Sequence, residues 1–128
     1  MQPINRSILN LSSAKLTESK TFYTKLFAFE VAYDSDWFIN LVSASGGLEL
    51  GIIAQGHEIV PAGLTPSMGG TYLTLVVESA DEVYAQAQKE GYEIIAPPED
   101  TFYGQRRLLL RDPNGYTIDV SSLIPKST

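Results

Sequence analysis

A single histidine, His57, and the absence of cysteine narrow the chemistry open to this chain of 128 residues. Without cysteine there is no disulfide, no thiolate metal site and no thiol nucleophile. Serine hydrolysis needs a placed general base, and no Gly-x-Ser-x-Gly turn accompanies the lone imidazole. No glycine-rich phosphate loop occurs either. What remains is carboxylates, phenols, guanidinium groups and one indole. Asp119 lies in an alternating stretch in which Thr117, Asp119 and Ser121 share one face and Tyr116, Ile118 and Val120 the other. Glu49 lies in Leu48-Glu49-Leu50-Gly51-Ile52, as a site residue or an exposed strand residue. Trp37, the one tryptophan, starts a stretch in which Trp37, Ile39 and Leu41 alternate with Phe38, Asn40 and Val42. One of those sets should line a cavity, where an aromatic wall suits a flat ligand; a core aromatic is the other reading. In Tyr103-Gly104-Gln105-Arg106-Arg107, Gln105 or Arg107 could anchor a carbonyl or carboxylate, or the arginines could pair with surface acids.

The elements that must position these groups follow an order that is written twice. Residues 7–12 have strand composition, and residues 16–27 repeat apolar positions at helical spacing. Extended segments follow at 29–33, 37–43 and 48–54, with Gly46-Gly47 as a turn. Residues 71–77 restart the order as a strand. Ser79-Ala80-Asp81-Glu82 is a capping box, Ala80, Val83, Tyr84 and Ala87 form a helical stripe, and Gly91 closes it. Strands at 92–96, 106–111 and 116–123 complete the second unit, the last two joined by Asp112-Pro113-Asn114-Gly115. The halves align: Phe29-Glu30-Val31 with Tyr92-Glu93-Ile94, and Gly47-Leu48 with Gly115-Tyr116. The expected fold is α+β: two βαβββ modules, about 4–55 and 71–124, in one domain spanning 1–128. A linker at about 56–70 holds His57, where solvation is the simpler expectation. The two sheets would form a curved mixed sheet around a cavity, with the helices outside.

A net charge of −6 argues against nucleic acid as a partner. No apolar run approaches the ~20 residues that span a bilayer, and the first residues lack a signal peptide's pattern. A cytoplasmic protein with a small-molecule ligand, no nucleic acid and no membrane partner is the expectation.

Phe22-Tyr23-x-x-Leu26-Phe27-x-Phe29-Glu30, together with Asp112-Pro113-Asn114-Gly115-Tyr116-x-Ile118-Asp119, resembles the vicinal oxygen chelate superfamily. That superfamily includes glyoxalases, extradiol dioxygenases and bleomycin-binding resistance proteins. The resemblance covers nearly the whole chain and implies a homodimer. It also implies four metal-ligand positions, which fall here near Ser7 or Ile8, on Gly51 or Glu49, on Tyr72 and on Asp119. Neither of the family's histidines is present, so no metal and no other cofactor are expected. An oxygen-only site at Glu49 and Asp119 is the disfavoured exception.

The leading expectation is a small-molecule-binding protein of the antibiotic-sequestering type. Trp37, Glu49, Tyr103, Gln105 and Arg107 would be its ligand contacts, and the acidic chain would favour a cationic planar ligand. The alternative is a lyase, isomerase or dioxygenase-like enzyme acting on a small carbonyl or aromatic compound. In it, Asp119 would be the base or a weak metal ligand, and Tyr72 or Tyr103 the donor to a developing oxyanion. A third reading of Asp119 is structural, as a carboxylate bonded to Tyr72 or an arginine.

Overall fold

The computed structural model describes residues 1–64, 66 and 69–125. The chain divides into two compact units, Met1–Pro66 and Ser67–Thr128. Each follows the order βαβββ, so the duplicated order legible in the sequence is the order of the fold.

The first unit comprises β1 (Leu9–Ser13), α1 (Leu16–Phe27), β2 (Glu30–Asp34), β3 (Phe38–Val42) and β4 (Glu49–Ala54). Its sheet runs β1-β4-β3-β2, with β1 parallel to β4 and the other pairs antiparallel. Leu11 pairs with Ile52, and Leu41 with Leu50, on the face that α1 covers. Phe22, Tyr23 and Leu26 of α1 are buried against it. Burial of each such side chain contributes about 1.5–3 kcal/mol, so this face fixes the register of the whole sheet. The opposite face carries Asn10, Ser12, Phe38, Asn40, Glu49, Gly51 and Ile53. At the start of α1, Ser13 Oγ accepts from the Lys15 N–H (2.8 Å), and Ser19 Oγ donates to the Lys15 carbonyl (2.7 Å). The helix stops at Ala28, held left-handed at φ 54° with its N–H on the Tyr23 carbonyl. Glycine is the usual residue at such a position because a Cβ is crowded there.

The second unit comprises β5 (Leu73–Val76), α2 (Ala80–Glu90), β6 (Ile94–Asp100), β7 (Gln105–Arg111) and β8 (Thr117–Leu123). Its sheet runs β5-β8-β7-β6, again with one parallel pair, β5 and β8. Ser79 Oγ accepts from the Glu82 N–H (3.1 Å), and Gly91 caps α2 in the left-handed region. The Ala80 N–H donates to Ser122 Oγ (3.0 Å), which ties the start of α2 to β8. In the turn before β8, Asp112 Oδ1 accepts from the backbone N–H groups of Asn114 and Tyr116.

Several strand boundaries shift by a residue or two from the sequence expectation, and two differences matter more. Strand β6 continues through Pro97 and Pro98 to Asp100. It is an edge strand with two register shifts, where missing N–H donors leave no partner unsatisfied. Strand β5 begins at Leu73, so Tyr72 lies outside it and is 62% exposed. The expected linker is ordered at its start: the His57 N–H donates to Ala54 O (3.1 Å) and the Val60 N–H to His57 O (2.9 Å). Part of the rest, Thr65, Ser67 and Met68, lies outside the described residues. Among the described residues, no helix is long and apolar enough to cross a membrane.

Candidate functional site

Strand alternation in the first unit sends Ile39 and Leu41 toward α1 and leaves Phe38 and Ile53 on the opposite face. That face does not lie bare. The segment 59–64 borders it and, with it, forms a half-open cavity of about 370 Å³. Trp37, Phe38, Ile53 and Ile59 supply its apolar walls, and Asn10 and Ser12 its polar groups. Trp37 precedes β3 rather than belonging to it, which is how both it and Phe38 reach the same cavity. The indole stacks on the His57 ring, centroids 4.3 Å apart and planes 14° from parallel. His57 Nδ1 accepts from the Ile59 N–H (3.3 Å). The expectation of a solvated loop histidine is therefore corrected: His57 is half-buried and braces the loop against Trp37.

Gly51 lies beside this cavity on β4. A Cβ there would collide with Asn10 Oδ1 and come within 2.8 Å of Phe38 Cε1. The glycine forms no bulge, since β4 keeps unbroken register with β1 and β3. Its missing side chain admits Asn10 and Phe38 over the strand. Glu49, two residues earlier, is clamped by Arg6 through two bonds of 2.6 Å. The Arg6 guanidinium, and to a lesser degree the Asn40 amide, hold its carboxyl below the usual carboxylate range against the opposing effect of burial.

Strand pairing shows that Gly51 and Asp119 occupy matching places. Gly51 pairs with Asn10 of the parallel strand β1, and Asp119 with Thr74 of the parallel strand β5. In the second unit the position is filled. Thr74 Oγ1 donates to Asp119 Oδ2 (3.0 Å), Ser121 Oγ donates to Oδ1 (3.0 Å), and Arg107 Nε lies 3.2 Å from Oδ1. The Asp119 side chain is 8% exposed. The buried Arg107 Nε is close enough for an ion pair yet too poorly directed for a hydrogen bond. Of the two structural partners considered for Asp119, an arginine is the one the structure places beside it.

Gln105 pairs with Leu123 at the start of β7 and shares a face with Arg107. Tyr103 is at the exposed β6–β7 tip, edge-on to Phe102. Arg106 points the other way and binds Asp100 and Asp81, which lowers the Asp100 carboxyl's pKa and raises its own. Among the described residues, no three acidic or histidine side chains gather as a metal site.

A family model described as the Glyoxalase/Bleomycin resistance protein/Dioxygenase superfamily matches residues 8–120. The chain belongs to this superfamily. Solved structures agree on the fold. A glyoxalase/bleomycin resistance protein/dioxygenase family enzyme from Burkholderia phytofirmans PsJN is 21% identical, with a TM-score of 0.77 over 92% of this chain and 98% of that one. Lactoylglutathione lyase from Agrobacterium tumefaciens is 14% identical, with a TM-score of 0.69 over 94% and 96%. TioX from Micromonospora sp. ML1 is 18% identical, with a TM-score of 0.67 over 97% and 100%. No curated protein sequence matches the chain. Membership in the glyoxalase superfamily fixes the scaffold, and what the chain does with it lies in the site.

The residues that alternation could have identified but did not are Asn10 and Ser12. They share a face of β1 with Gly51 and Ile53 across the ladder. Ile59 carried no local signal, because a loop of glycine and proline composition gives no hint that it packs on a sheet.

Proposed function

We propose that this glyoxalase-superfamily chain is a small-molecule-binding protein that works without the usual metal, with the cavity of the first unit as its ligand site. The observation that carries the reading is the cavity itself: about 370 Å³ walled by Trp37, Phe38, Ile53 and Ile59. Concave, mostly apolar sites of this size with a few convergent polar groups are where small ligands bind. Trp37 makes the test direct, because it is the only tryptophan. Titration with flat aromatic probes should change its fluorescence and raise the melting temperature of the intact protein. Silence of both signals across the series would end this reading.

The donor set does not suit the family's metal. The four expected positions offer Ser7 or Ile8, Gly51 or Glu49, Tyr72 and Asp119, with no imidazole. Gly51's space is taken by Asn10 and Phe38, Glu49 is held by Arg6, and Asp119 by Thr74, Ser121 and Arg107. A metal would have to displace guanidinium groups that already neutralise both carboxylates. Calorimetric titration with Mn²⁺, Ni²⁺ and Zn²⁺ should give no stoichiometric site. A one-to-one site that Asp119→Asn abolishes would overturn the metal-free reading.

On the same reading Asp119 serves the fold. Its oxygens already accept from two hydroxyls and face a guanidinium, and Tyr72 is exposed rather than bonded to it.

A further inference from the structure

The cavity's chemistry points to a narrower ligand class than the charge of the chain suggests. Among the described residues, no charged side chain lines it. An ionised ligand seated in this half-open cavity would shed part of its water without gaining a counter-ion, which disfavours a charge there. The net charge of −6 does not compensate, because attraction between exposed charges fades beyond about 8 Å at physiological salt. The polar groups that do face the cavity are neutral. Asn10, solvent-exposed at the mouth of the cavity, presents both an amide carbonyl and an amide N–H₂, and among the described residues that side chain has no hydrogen-bond partner. Its position is set from below: Asn10 Oδ1 lies over Gly51, where any side chain would displace it. The available space would hold about a dozen waters at ~30 Å³ each, or one to two fused rings.

Resting on the reading that this cavity is the ligand site, we infer that it selects an uncharged, flat ligand of one or two rings with an adjacent donor and acceptor on one edge. That edge pairs with the Asn10 amide, and the ring lies against Trp37 and Phe38. Asn10 is the specificity-determining residue, and the cationic planar ligand expected from the acidic chain is replaced by a neutral one.

Three probes of similar shape test this on the intact protein: quinolin-2-one, naphthalene and N-methylquinolinium. Affinities come from Trp37 fluorescence and calorimetry. Quinolin-2-one should bind about ten-fold more tightly than naphthalene, as expected for an added pair of hydrogen bonds. N-methylquinolinium should bind most weakly. Asn10→Ala should erase the advantage of quinolin-2-one over naphthalene. Asn10→Leu, which keeps the bulk over Gly51, should do the same, and a melting curve confirms that each variant is folded. Equal affinity for quinolin-2-one and naphthalene in the parent protein, or tightest binding of N-methylquinolinium, overturns the ligand class and leaves the binding function standing. If none of the three binds, the ligand-site reading falls and takes the inference with it.

Discussion

Removing the Asp119 carboxylate separates a structural role from a catalytic one. Asp119→Ala deletes two hydroxyl-to-carboxylate bonds of 3.0 Å and the partner of Arg107. Hydrogen bonds to a charged group are each worth about 1.5–3 kcal/mol, but water can replace part of what the half-exposed Arg107 and Thr74 lose. Ser121 is 5% exposed and cannot recover its bond as easily. The net cost should be about 2–4 kcal/mol. Unfolding entropy near 2.1 cal/mol/K per residue over 128 residues makes 1 kcal/mol about 4 °C, so the melting temperature should fall by about 7–15 °C. Asp119→Asn keeps one acceptor and should lose about half as much. Arg107→Met closes a double-mutant cycle, measured by urea unfolding, and the pair should couple by more than ~0.5 kcal/mol. A parent-like melt of Asp119→Ala, or a vanished coupling, would refute a structural role for Asp119. An unchanged melt with lost ligand affinity would return Asp119 to the binding machinery.

Ala28→Gly relieves a left-handed Cβ, and should stabilise by about 0.5–1 kcal/mol after the extra freedom of glycine in the unfolded chain is subtracted. Differential scanning calorimetry should show a rise of a few degrees, and a fall would mean that Ala28 carries contacts beyond its cap. Gly51→Ala should destabilise by about 1–3 kcal/mol through overpacking against Phe38, and a neutral result in urea would show that Asn10 and the ring yield freely. Glu49 and Asp100 have folded pKa values held down by Arg6 and Arg106. Their contribution is therefore present above the ordinary carboxylate pKa and lost as pH falls through the depressed one. Urea melts between pH 6 and 3, at the scale of a normal carboxylate titration, should show this loss, and Arg6→Gln with Arg106→Gln should flatten it. Sedimentation equilibrium should give a homodimer, twice the 14.0 kDa chain, and a monomer mass would remove that expectation.

The elements that local rules govern were legible in the sequence. The helix at Leu16–Phe27 follows from apolar spacing alone, and Ser79 and Gly91 bracket the second because each supplies what a helix end lacks. The face of Asp119 followed from alternation in β8. Its partners did not, because Thr74 and Arg107 reach it through strand register between segments far apart in sequence. Tyr72 illustrates the limit: the matching position is one residue short of β5, on the side of the strand that Thr74 and Val76 also leave exposed. The cavity was the least legible part. Four of its ten lining residues come from a segment whose glycine and proline content reads as a loop, and the stack of His57 on Trp37 joins residues that no period connects.

The matched places of Gly51 and Asp119 have a consequence for how such a chain can change. In one copy of the duplicated unit the position carries a carboxylate bonded to two hydroxyls beside a guanidinium, and in the other it is left without a side chain. The two sets of contacts share no residue. On the proposed reading, a mutational library confined to the walls of the first unit's cavity would alter ligand contacts while leaving every partner of Asp119 in place.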